Sequence, residues 1–155
     1  MIALPRYDSA GDIVGDIAGQ YLLEAHARRD GLPVRGEFTG SLLTYRFAVG
    51  LPASSEEREL RVEFSPKRRH PRVFANGPRC LRHRWGDDSL CMWDPEAVPA
   101  ERWVLADGLG ELAGHAALHL SCESQCRAGL PWPKAEMPGA HPRKRHCPSC
   151  RGKGK

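Results

Sequence analysis

Six cysteines stand at positions 80, 91, 122, 126, 147 and 150 of a 155-residue chain. An even count is compatible with three disulfides. The segment Met1-Ile2-Ala3-Leu4-Pro5-Arg6 lacks the charged start and long apolar stretch of a secretory signal, so a cytoplasmic location and reduced thiols are expected. Reduced thiols do two kinds of work, metal binding and nucleophilic catalysis. Cys122-x3-Cys126 and Cys147-x2-Cys150 have the paired spacing of a four-thiolate zinc site, with His119, His141 or His146 able to replace one thiolate. The alternative is a basic tail with incidental cysteines. Cys80 and Cys91 stand apart from these pairs.

Cys91 has the setting of a nucleophile. A carrier thiol must ionise, attack an acyl group and hold it as a new thioester. Arg82, His83 and Arg84 bring positive charge, while Leu90 and Met92 can anchor the loop on either side. The residues alone leave a buried structural cysteine equally open. His83 can polarise a carbonyl or orient the loop. Asp87, Asp88 and Asp94 can desolvate or deprotonate an incoming amine, with Asp94 the nearest in sequence to the thiol. Gly86-Asp87-Asp88 and Asp94-Pro95 also read as ordinary turns. Lys67-Arg68-Arg69-His70 is a basic run that reads as a solvated turn or as a dock for an acidic partner. Trp85 and Trp93 flank the loop, either packing it down or forming a partner surface.

The elements that must position these groups follow from periodicity. After Asp8-Ser9, either of which can cap a helix, apolar residues recur at Ile13, Val14, Ile17, Ala18, Tyr21 and Ala25, and Gly31 lies past the end. Gly11, Gly15 and Gly19 form a stripe expected to lie against another backbone. Residues 34–38, 42–51, 60–64 and 72–75 read as short strands separated by turns, which predicts a four-stranded antiparallel meander. No period is visible from Pro78 to Pro99, the stretch that holds Cys80 and Cys91. Trp103 then precedes a second amphipathic helix through Val104, Leu105, Leu109, Leu112, Ala116 and Leu120. The predicted fold class is thus α/β in the α+β sense. Residues 1–121 are expected to form the domain, and residues 122–155 a Cys/Pro/basic extension.

Composition sets the outer bounds. Apolar residues are 41% and charged residues 27% of the chain, the balance of a soluble globular protein. That excludes a coiled coil, a disulfide scaffold, a membrane-spanning protein and a disordered chain. The net charge is +4, but residues 142–155 carry six Lys/Arg and no acid; removing them leaves −2. The basic balance therefore belongs to the tail and is a weak argument for nucleic-acid binding.

The order helix, antiparallel strands, cysteine loop, Trp, helix resembles the ubiquitin-conjugating enzyme fold. Phe64-Ser65-Pro66 followed by His70-Pro71-Arg72-Val73-Phe74 looks like the family's junction between its third and fourth strands. Ser89-Leu90-Cys91-Met92 looks like its catalytic segment, and Trp103 with the following helix fits its Trp and helix. The likeness covers residues 8–121 and is nearest to prokaryotic members. Cys126-Arg127-Ala128-Gly129-Leu130-Pro131-Trp132-Pro133 and the Cys-rich tail also look like that branch. The resemblance implies a transferase that takes a ubiquitin-like protein from an activating enzyme onto Cys91 and passes it to an amine of a target protein. It also implies a setting in bacterial antiphage defence. Zinc is the one cofactor expected, with no organic cofactor and no membrane partner.

The chain departs from the family at His-Pro-Asn, whose Asn stabilises the oxyanion some ten residues before the nucleophile. The corresponding segment here is His83-Arg84-Trp85, and the chain's one asparagine is Asn76. His83 and Asn76 are the two candidates for that role. The alternatives to a carrier are an inactive scaffold of the same fold and a zinc and nucleic-acid binding module built on the basic Cys/His tail and Trp132.

Overall fold

The alternation in residues 34–75 becomes one antiparallel sheet in the computed structural model, which describes residues 2–80 and 83–133. Its strands are β1 (Glu37–Thr39), β2 (Leu42–Gly50), β3 (Glu57–Phe64) and β4 (Arg72–Ala75), in spatial order β1-β2-β3-β4. The expected meander is therefore present. Tyr45 faces Val62 and Phe47 faces Leu60 across the β2–β3 ladder, so one sheet face carries buried apolar side chains. The first strand begins at Glu37 rather than Val34. The Gly36 amide donates to the Glu24 carboxylate at 2.8 Å, which takes it out of the ladder.

The N-terminal helical region is split. A 3-10 turn, Ala10–Gly15, precedes helix α1 (Ile17–Arg29). Ser9 Oγ accepts from Gly11 N, whereas Asp16 Oδ1 caps the α-helix by accepting from Gly19 N at 2.9 Å. The Tyr7 hydroxyl donates to the other Asp16 oxygen, and holds that carboxyl below its usual range. Gln20 donates from Nε2 to the Ile13 and Val14 carbonyls left open at the break. The break re-phases the buried face. Ile13 stays in the core, but Ile17 and Tyr21, expected beside it, are 82% and 68% exposed; Gln20, Leu23 and Ala27 are buried instead.

The glycine stripe divides in the same way. A Cβ on Gly11 would stand 2.2 Å from the Ser65 carbonyl oxygen, so only glycine lets the two backbones meet there. At Gly15 such a Cβ would meet nothing, and at Gly19 it would meet side-chain atoms of Tyr7 and Asp16.

Helix α2 spans Gly108–Arg127 and crosses the boundary expected at residue 121. Leu109, Leu112, Ala116 and Leu120 join the sheet's inner face in one core. Trp103 is 1% exposed and donates from Nε1 to the Gly108 carbonyl at 2.9 Å, fixing the helix entrance. The architecture is α+β: N-terminal helix, four-stranded meander and long C-terminal helix. Among the described residues no helix is long and apolar enough to cross a membrane.

Candidate active-site loop

The chain between β4 and α2 is aperiodic but tightly bonded. Arg84 and Leu90 form a one-residue antiparallel bridge, and Trp85 N donates to Ser89 O at 2.9 Å. The intervening turn places Asp88 at φ +73, a left-handed conformation that Asp tolerates better than most residues. Asp87 accepts from Ser89 N and Oγ. These bonds outweigh the cost of burial and keep its carboxyl low.

Cys91 is held from both sides. Its amide donates to the His83 carbonyl at 3.0 Å, and the preceding Leu90 amide donates to Val73 O of β4 at 2.8 Å. Leu90 and Trp93 both enter the core, with Trp93 stacked on Trp103 at 6.3 Å. Cys91 is 7% exposed. Burial pushes it up to about 11, the Asp94 carboxylate adds to the rise, and Arg72 of β4 opposes it. A protonated thiol is therefore the resting form at neutral pH.

A cleft of about 350 Å³ opens beside the loop. Arg68, Arg69 and Arg72 supply its cations, His70 lines it with an imidazole that burial and then Arg102 keep low and hence neutral, and Trp85 and Trp93 are its aromatic walls. The basic run 67–70 thus contributes three side chains to this cleft. Arg72 also lies over the Trp85 ring at 5.8 Å and pairs with Asp87 at 3.4 Å.

The predicted site residues meet different fates. Asp94 lies near enough to Cys91 to raise its thiol, while its Oδ1 accepts from Glu96 N in a turn. His83 reaches Cys91 through its backbone carbonyl; its ring packs on Trp132 at 3.9 Å and edges toward His119 at 6.3 Å. Asn76 closes the end of the β3–β4 pair, its Oδ1 accepting from Glu59 N at 2.8 Å and its amide donating to Glu59 O. Cys122 and Cys126 lie one turn apart on α2, both buried. Cys147 and Cys150 lie outside the described residues, and among the described ones no three candidate ligands assemble.

Two contributors carry no short-range sequence signal. Arg84, expected to lend charge to the thiol, donates instead to both oxygens of Glu123 on α2. Arg72, an ordinary strand residue by pattern, is the cation that opposes the rise of the Cys91 thiol. No family model, curated protein or solved structure matches this chain.

Proposed function

We propose that this chain is a carrier of the ubiquitin-conjugating type, loaded with a ubiquitin-like protein as a thioester on Cys91. The observation that carries the reading is the clamping of Cys91. Its neighbours Leu90 and Trp93 are sunk in the core and its amide is tied to His83, beside a basic, aromatic cleft. The element order, with the cysteine loop between a meander and a long helix, supports the same fold family. The bacterial antiphage setting rests on the sequence resemblance.

Loading breaks one thioester and makes another. The Cys91 thiol gives up its proton, its sulfur adds to the carbonyl carbon held by the activating enzyme, and that enzyme's thiolate leaves. Transfer reverses the sulfur's role: an amine of the target adds, loses a proton, and Cys91 departs as thiolate. Asp94, whose charge reaches Cys91, is the carboxylate assigned here to take the amine's proton. A resting thiol near 11 makes loading depend on the partner, whose docking must change the surroundings of Cys91. The cysteines of the extension, with Cys122 and Cys126 on α2, are read as a structural zinc site; Cys126 is disulfide-bonded in the structure, against the expectation of reduced thiols, and can serve as a ligand only once reduced.

A second reading, an inactive scaffold of the same fold, is favoured by that raised thiol and by the bonding of Asn76 to Glu59. A non-reducing gel of the chain with an activating enzyme, its ubiquitin-like protein and ATP separates the two. A carrier gives a reductant-sensitive adduct, and Cys91→Ser turns it into a slower, reductant-resistant oxyester. A reducible band that survives Cys91→Ser places the nucleophile elsewhere. No band with wild-type chain and a proven activating enzyme leaves the scaffold.

A further inference from the structure

The cleft beside the Cys91 loop joins two unlike surfaces. One is cationic: Arg68, Arg69 and Arg72 line it, and among the described residues no Asp or Glu does. The other is apolar, built from Pro71, Pro95 and the two side chains that flank Cys91, Leu90 and Met92. The arginines are positioned but loosely paired. Arg72 stands 3.4 Å from Asp87 and Arg68 4.0 Å from Glu63, both well beyond the roughly 2.8 Å of a charge-assisted hydrogen bond. Arg68 Nη1 has no hydrogen-bond partner among the described residues, and Arg69 donates to the Asp8 carbonyl at 3.3 Å. Arg84, by contrast, is saturated by the two oxygens of Glu123 at 2.7 and 2.9 Å. The three cleft cations also stand against the sign of their surroundings, since residues 1–141 carry a net −2.

We propose that this cleft is a docking site for a short acidic peptide segment of a partner protein, an apolar residue followed by carboxylates. The apolar side chain rests against Leu90 and Met92, and the carboxylates take Arg68, Arg69 and Arg72 from their loose partners. A guanidinium offers a carboxylate two parallel N–H groups, so the match is one of shape as well as charge. Two other anions fit less well. Nucleic acid would have to extend beyond the cleft over a body of its own sign. A nucleotide needs an open aromatic face on which to stack its base. Trp93 is 8% exposed and stacks on Trp103, and Arg72 already lies over the Trp85 ring at 5.8 Å. Because Leu90 and Met92 bracket Cys91, a seated segment lies within a residue of the thiol. The proposal rests on the cleft and not on thioester chemistry, so it stands or falls apart from the carrier reading.

The test uses the full chain and synthetic peptides in which one leucine is followed by a run of glutamates, of glutamines or of lysines, with binding read by titration calorimetry. The glutamate peptide should bind at least about tenfold more tightly than the glutamine peptide, and the lysine peptide should not bind. Its affinity should fall at least about threefold between about 50 and about 200 mM salt, because exposed charges are screened. Replacing its leucine by serine should cost about tenfold, the worth of one buried aliphatic side chain. Arg69→Gln and Arg72→Gln should each weaken it about fivefold or more. The peptide series uses the unaltered chain, so a variant that does not fold leaves the test intact. Location is read at the thiol: saturating glutamate peptide should slow iodoacetamide at Cys91 at least about threefold, since it neutralises Arg72 and covers the loop. Equal binding of the glutamate and glutamine peptides overturns the proposal, as does no binding of the glutamate peptide at low salt. A glutamate peptide that binds but leaves Cys91 alkylation unchanged sits elsewhere and also overturns it. Tighter binding of ADP or tripolyphosphate than of the glutamate peptide gives the cleft to phosphate instead. None of these outcomes alters the gel test of the Cys91 adduct.

Discussion

Arg84 and Glu123 form a two-pronged ion pair, Nε to Oε1 at 2.7 Å and Nη2 to Oε2 at 2.9 Å, with the Glu123 side chain wholly buried. It joins the turn preceding Cys91 to the middle of the last turns of α2. Arg84 also donates to the Asp88 carbonyl at 3.2 Å, and His119 Nε2 lies 3.6 Å from Glu123. Burial alone would raise the Glu123 carboxyl, but its hydrogen bonds from Arg84, with His119 close by, more than reverse this and hold it low. The loop that presents Cys91 is thus held by charge as well as by apolar packing.

Removing one partner leaves the other buried without its counter-charge. Glu123→Gln should cost about 3–5 kcal/mol in urea unfolding, while Arg84→Met with Glu123→Leu should recover most of it. A depressed carboxyl stabilises the fold above the ordinary carboxylate range, and that contribution disappears as pH falls through the folded value. The acid limb of the wild-type stability curve should therefore flatten in the double variant. A single variant as stable as wild type would show that the pair contributes nothing to holding the loop.

The state of Cys91 is readable by alkylation. With the thiol near 11, the iodoacetamide rate at Cys91 should climb about tenfold per pH unit from 7 to 10. Asp94→Asn should speed it and Arg72→Gln should slow it, following the signs of the two charges. The neutral thiol is the form the fold prefers. Its stabilisation is whole below the ordinary thiol value near 9 and is lost as pH rises through about 11. A rate that levels off below pH 8 would contradict a buried, protonated resting thiol.

Ile13 and Ile17 test the re-phased helical face. Ile13 is 0% exposed and Ile17 82%. Ile13→Ala should cost about 2–5 kcal/mol, whereas Ile17→Ala should stay within about 0.5 kcal/mol. Equal losses in thermal unfolding would mean that one continuous helix runs from residue 9, as the apolar spacing alone predicts.

Gly11 and Gly15 make a second matched pair. A methyl at Gly11 meets two backbone carbonyl oxygens, of Ser65 and Arg68, at 2.2 and 2.5 Å, and neither can step aside as a side chain would. Gly11→Ala should lower stability by about 1–3 kcal/mol, the range for overpacking, and Gly15→Ala should not. Chemical denaturation of the two variants side by side measures the difference.

The sheet was legible because its evidence is local. Alternation in β2 and β3 and turn residues between them are properties of neighbouring positions, and a meander asks each strand to pair only with the next. Trp103 and the apolar positions of α2 were legible for the same reason. The α1 face departs from the apolar spacing because Ser9 caps only the 3-10 turn, while Asp16 caps the α-helix and resets its phase. Of the site, the sequence alone marks Cys91 as a candidate and Leu90 and Met92 as its anchors; Leu90 is in the core, Met92 is only partly buried against it, and Trp93 takes the core position on the far side. The sequence did not contain the Arg84–Glu123 pair, the influence of Arg72 on the thiol, or the approach of Cys80 to Cys126. Those depend on chain closure over tens of residues, where charge and sulfur meet because the loop and α2 pack on the same side of the core. Such contacts leave no period in the sequence, since either partner can sit anywhere on its own element that faces the junction.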